Sequence, residues 1–128
     1  MHERKPIYPP GAAKPLAPYS PGIDAACFVY VSGQLGLDPS VNKIVPGGIE
    51  AETRQALINV QTILNAADTT LEQVVKVTVF LRDINDFAAM NGVYGQFFVE
   101  EPPARSAFQV AALPLGAAVE IEAIALRK

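Results

Sequence analysis

The sequence predicts an α+β domain in two layers, with two helices packed on one face of a mixed β-sheet. Three observations predict it. Two stretches carry apolar residues at helical spacing, five others are rich in β-branched and aromatic residues, and they alternate in the order β-β-α-β-α-β-β. The chain of 128 residues is half hydrophobic and 18% charged, enough apolar material for one core. A single domain over residues 1–128 is expected.

Six of the eleven prolines fall within the first 21 residues, so residues 1–18 read as an extended Pro-rich arm lying on the domain. A short strand over Tyr19 to Ile23 pairs with the next through a turn near Asp24. Cys27 to Leu35 (CFVYVSGQL) is a strand that stops at Gly36, Asp38 and Pro39. Within it Cys27 reads as a buried small hydrophobe. After Gly47-Gly48 comes a helix with Ala56, Leu57, Val60, Ile63, Leu64 and Ala67 on one face; Glu50, Glu52, Arg54, Gln55 and Gln61 occupy much of the rest. Val74 to Arg82 (VVKVTVFLR) is the clearest strand, with Val75, Val77, Val79 and Leu81 on one side and Lys76, Thr78, Phe80 and Arg82 on the other. Asn85 or Asp86 caps a second helix whose stripe is Phe87, Met90, Tyr94 and Phe97, with Phe98 beside it. Pro102-Pro103 ends it, and strands over Ser106 to Leu113 and Val119 to Leu126 flank a Pro114-Leu115-Gly116 turn. Phe28, Tyr30 and Phe80 then lie on the face the helices leave open. A domain this small buries such a face against another copy, so a homo-oligomer with pockets at its interfaces is expected.

Composition narrows the chemistry. No apolar run reaches the ~18–20 residues that cross a bilayer, and no hydrophobic stretch follows Met1, so a cytoplasmic protein with no membrane partner is expected. Ten basic residues stand against thirteen acidic ones, without the Lys/Arg cluster on which nucleic-acid binding draws. Cys27 is the only cysteine and His2 the only histidine, so no Cys/His set has metal-ligand spacing and neither metal nor cofactor is expected. Gly47-Gly48 lacks the Gly-Lys-Ser/Thr of a phosphate loop. Any catalysis falls to carboxylates, Arg, Tyr, hydroxyls and backbone groups.

Each candidate group has two readings. Glu120 and Glu122 share one face of the last strand (VEIEAIAL), either as a solvated polar face or as carboxylates in a partly dry cleft, where a raised pKa suits acid–base work. Arg105, after two prolines and an alanine in PPARSAFQV, is a surface arginine or a preorganised fork for a carboxylate. Gly33, in Ser32-Gly33-Gln34, marks a bulge or lets a ligand approach the backbone. Tyr19, in APYSP, is a packed aromatic or a lid with a hydroxyl tip.

Taken together, PYSPGI (18–23), FVYVSGQLGLDP (28–39), GGIEAETRQAL (47–57), VVKVTVFLRDINDFAAMN (74–91), PPARSAFQVAALP (102–114) and VEIEAIAL (119–126) resemble the Rid family of reactive enamine/imine deaminases. Older descriptions call its members endoribonuclease L-PSP or translation inhibitors. The blocks cover just over half of the chain. The resemblance implies a chorismate-mutase-like fold, a homotrimer with three clefts between subunits, and hydrolysis of 2-imino acids such as 2-aminoacrylate tautomers and 2-iminobutanoate to 2-oxo acids and ammonia. It assigns Arg105 to the substrate carboxylate and Glu120 to water and proton handling. Tyr19 resembles the family's tyrosine at the cleft mouth, Gly33 its backbone contact, and Asn91 an asparagine that lines or supports the pocket. Two positions depart from the pattern: Ala107 stands where many members carry Cys, which excludes a thiol mechanism there, and Pro21 where glutamine is common. A ribonuclease and a non-catalytic or chaperone-like binder of small carboxylates are the competing readings; Arg105 favours the deaminase.

Overall fold

The structure, a computed structural model, describes residues 3–128, so His2 lies outside the described residues. Six strands form one sheet in the order β1-β2-β3-β8-β6-β7. They are β1 (Arg4–Ile7), β2 (Gly22–Ala25), β3 (Phe28–Leu35), β6 (Val74–Leu81), β7 (Ala104–Gln109) and β8 (Val119–Leu126). The remaining strands, β4 (Leu37–Asp38) and β5 (Lys43–Ile44), form a small separate hairpin. All neighbours in the large sheet are antiparallel except β6 and β7, which run parallel. Helix α2 (Phe87–Phe97) makes the crossover that a parallel pair requires. With α1 (Gly48–Ala66) it covers one face of the sheet, and the two helices pack on each other.

The core lies between these layers. From α1 it takes Leu57, Val60 and Leu64, from α2 Met90, and from the strands Val29, Val77, Val79, Leu81 and Ile121, all nearly or fully buried. In β8 the alternation is regular: Val119, Ile121, Ala123 and Ala125 face the helices, and Glu120, Glu122, Ile124 and Leu126 face away. The outward face keeps its apolar residues uncovered in the chain, with Phe28 37%, Tyr30 45%, Phe108 45% and Leu126 41% exposed.

Several expectations need correction. Within the segment expected as an arm, Arg4–Ile7 forms an edge strand, in register with β2 from Arg4↔Ala25 to Ile7↔Gly22. The strand expected over Tyr19 to Ile23 is displaced to Gly22–Ala25, and its turn to Ala26-Cys27, where Ala26 has a φ of 58°. Cys27 therefore sits exposed at a hairpin tip and is not a buried hydrophobe. In β6 it is Val74, and not Val75, that joins Val77, Val79 and Leu81 inside, because an irregularity between Val74 and Lys76 shifts the register against β8. The strand expected over Ser106 to Leu113 is Ala104–Gln109. Asp86 occupies the α2 N-cap without a side-chain bond, while Asp83 Oδ1 accepts the Asn85 N–H in the preceding 3-10 turn at 2.9 Å.

Candidate active site

Arg105 stands on β7, the sheet's last strand, opposite Val77 of β6. Parallel partners point to the same side of a sheet, so Arg105 shares the helix-facing side with Val77, which is buried. There it meets one stripe of α2, in which Phe87, Asn91 and Tyr94 recur at i, i+4 and i+7. Arg105 Nη1 donates to Asn91 Oδ1 at 2.7 Å. The guanidinium carbon lies 4.7 Å from the centre of the Tyr94 ring and 5.5 Å from that of Phe87. Burial pushes the Tyr94 phenol up to about 12, against the opposing pull of Arg105. Ala107, two residues along β7, lies on the same side and packs half-buried against the core.

Glu120 stands opposite Phe80 of β6 and Leu35 of β3, and so projects to the other face of the sheet. Burial, aided by the like charge of Glu122, raises its pKa above the ordinary 4.5. Beside it β3 bulges between Val31 and Gln34, with Ser32-Gly33 in the interruption. A Cβ at Gly33 would collide with the Glu120 carboxylate and push it from its present position, so glycine is what allows this close approach. The bulge is also tied to the Pro-rich segment. Ser32 Oγ donates to the Ser20 carbonyl at 2.6 Å, and the Ser32 N–H to the Pro21 carbonyl at 2.9 Å. Pro21 thus serves this junction through its carbonyl, a role that does not call on the N–H proline lacks. Tyr19, 55% exposed, is next to these anchored residues.

The site residues expected from the sequence therefore assemble into two groups. Arg105, Asn91 and Ala107 lie on the helix side of the sheet; Glu120, Gly33 and the Tyr19 segment belong to the other region, separated by strand β6. One chain does not bring Arg105 and Glu120 together. Sequence reasoning missed two contributors. Phe87 was counted as core, yet is 37% exposed and turns its ring to Arg105. Glu52 was placed on the polar side of its helix, but is buried, and its Oε1 accepts the Ala118 N–H at 2.8 Å. That bond pins the chain two residues before Glu120. Gly36 permits it, since a Cβ there would meet the Glu52 backbone at 2.7 Å.

Among the described residues no group of three or more His, Cys, Asp or Glu is placed to hold a metal, and no helix is long and apolar enough to cross a membrane.

Known proteins resemble this chain along nearly its whole length. The family model described as Endoribonuclease L-PSP matches residues 10–127. The Drosophila melanogaster RutC family protein UK114 is 53% identical over 123 residues, covering 96% of this chain and 89% of that protein. The 2-iminobutanoate/2-iminopropanoate deaminase of Bos taurus is 50% identical over 124 residues, covering 97% and 90%. The crystal structure of E. coli TdcF with bound serine superposes with a TM-score of 0.89 at 41% identity, covering 97% of this chain and 99% of that one.

Proposed function

Since the chain belongs to the endoribonuclease L-PSP family, the Rid proteins, we propose that it hydrolyses 2-imino acids to 2-oxo acids and ammonia, a reading supported by mammalian relatives named 2-iminobutanoate/2-iminopropanoate deaminase. The observation that carries this reading is the preparation of Arg105. Its fork is held by an amide oxygen at one nitrogen and lies over two aromatic rings, which leaves N–H donors for a carboxylate.

The chemistry asks little of the protein. An enamine released by a dehydratase tautomerises to an imine, whose carbon is electrophilic once the nitrogen is protonated. Arg105 binds the carboxylate and fixes that carbon. Glu120 takes a proton from a water as its oxygen bonds to the carbon, giving a tetrahedral carbinolamine. The same proton passes to the amine; as the C–N bond breaks and ammonia leaves, the carbinolamine hydroxyl gives its proton back to Glu120, which passes it to ammonia or solvent, and the 2-oxo acid remains. A carboxyl whose pKa is raised by burial is suited to both halves of this exchange. Asn91 steadies the arginine, Gly33 gives the carboxylate its room, Tyr19 closes the mouth, and the Ala107 backbone carbonyl, for which no thiol is needed, faces the substrate.

Because Arg105 and Glu120 project from opposite faces, the working unit is an oligomer, a homotrimer with sites between subunits, and the exposed face bearing Phe28, Tyr30 and Phe108 is its buried interior. The test is a coupled assay on freshly generated 2-iminobutanoate. Arg105→Ala should abolish acceleration above the spontaneous rate, and Arg105→Lys should restore little, since a point charge does not replace a two-pronged clamp. Wild-type turnover in Arg105→Ala would overturn the reading.

A further inference from the structure

Tyr94 presents an unusual balance. It is 7% exposed, its ring packs on Phe98 with centres 4.7 Å apart, and its hydroxyl oxygen is buried without a hydrogen-bond partner among the described residues. An unpartnered buried hydroxyl destabilises a fold, so hydrogen bonding by that group does not account for the tyrosine. The ring has a clearer task. Its face lies under the Arg105 guanidinium at 4.7 Å, closer than that of Phe87, and within the ~6 Å over which a ring attracts a cation. The hydrogen bond to Asn91 fixes the guanidinium at one nitrogen only, and a group held at one point still swings about it. The ring face supplies a second contact, and a guanidinium held at two points no longer swings about one.

We infer that Tyr94 is a positioning residue, whose ring face, and not its hydroxyl, holds the Arg105 guanidinium where its fork meets a carboxylate. This rests on the reading of Arg105 as the carboxylate clamp. Asn91 fixes one nitrogen of the guanidinium, and Tyr94 holds the cation over its ring. Both reach it from successive turns of α2, so the helix carries the geometry as a unit. The high phenol pKa keeps the ring neutral, so Tyr94 does not become an ion-pair partner competing for the arginine.

Substitution separates the ring from the hydroxyl. In Tyr94→Phe, the Kd for 2-oxobutanoate, measured by calorimetry, should stay within twofold of wild type. In Tyr94→Met, which keeps apolar bulk but loses the ring face, Kd and KM should rise about 5- to 30-fold with kcat little changed, the effect of losing a partly desolvated cation–π contact. A purely structural role would instead lower the melting temperature and the active fraction and leave Kd alone. A measurement on the wild type needs no variant to fold: the Arg105 Nε–H proton should be shifted upfield by the ring current and lose that shift on no change but removal of the ring. Wild-type Kd in Tyr94→Met, equal losses in Tyr94→Phe and Tyr94→Met, or an unshifted Arg105 signal would each overturn the inference. Arg105→Ala distinguishes the two levels. If it leaves 2-oxobutanoate binding intact, the clamp reading fails; if it abolishes binding while Tyr94→Met does not weaken it, only the role of Tyr94 fails.

Discussion

The two regions that carry the candidate chemistry are built in opposite ways. Around Arg105 the charge is held tightly, by an amide oxygen at 2.7 Å and two aromatic faces drawn from a single stripe of α2. Around Glu120 the charge is opposed, by burial and by the neighbouring Glu122, and the carboxylate is shaped by a missing side chain at Gly33. Binding and proton transfer need these different treatments. A clamp works best when rigid and always charged, whereas a proton carrier works best when both of its protonation states are accessible. Under the proposed function, their placement on opposite faces of one sheet turns this division into a requirement for more than one copy of the chain.

That requirement gives the largest expected effect. Arg105→Ala and Glu120→Gln proteins should each be inactive, and denaturing and refolding them together should restore about one working site in four in a ring where each site draws one group from each of two neighbours. Activity that stays absent in the refolded mixture would show that both groups act within one copy. Next in size, Glu120→Gln alone should lower turnover ~10²–10⁴-fold, the range for losing an acid–base group, while calorimetric binding of 2-oxobutanoate survives; loss of binding would merge the two regions into one function. Gly33→Ala should fall between, because its methyl group displaces the Glu120 carboxylate, with stability lowered by ~1–3 kcal/mol as in other overpacked sites and with 2-oxobutanoate affinity again retained.

Smaller effects test the electrostatics. Glu122→Gln removes a like charge, so the pKa of Glu120 should fall and the acidic limb of the rate profile should move to lower pH. A limb that moves the other way would remove Glu122 from the account. The smallest effect is on stability. A carboxyl whose folded pKa is raised binds its proton more tightly in the native state, so its contribution is complete below 4.5 and is lost as pH rises through the folded value. Relative to Glu120→Gln, the wild type should lose urea resistance across that window. The change should be small, since Glu120 remains partly open to solvent.

Much of this was legible in the sequence because it is local. The alternation in VEIEAIAL put Glu120 and Glu122 outward, as found, and the periodicity of both helices was plain. What escaped depends on pairing between distant segments. Arg105 joins Phe87 and Tyr94 only because β7 runs parallel to β6, in a register no local pattern encodes. The stripe of α2 was read as core, and Met90 and Tyr94 are core, but the same periodicity could not show that one edge of it faces a charge. Val75 and Val74 exchanged roles through a single irregularity, and a displaced turn carried Cys27 to the surface. Arg4 to Ile7 has no alternation at all; it is a strand because β2 offers it a partner.

That first strand bears on how the protein behaves in concentrated solution. β1 is the outermost strand on its side of the sheet, and along it stand Arg4 and Lys5, both exposed, followed by Pro6, which has no N–H to offer. Two like charges and a proline make a poor template for another strand to join. A chain shortened to begin after Ile7 would lose that one buried side chain from the core and bare the backbone of β2, where Gly22, Ile23, Asp24 and Ala25 bring one charge and no proline to the edge. Such a chain should scatter light and form ordered aggregates at concentrations where the longer one stays clear, so a segment that lends the core a single side chain also acts as a guard against self-association.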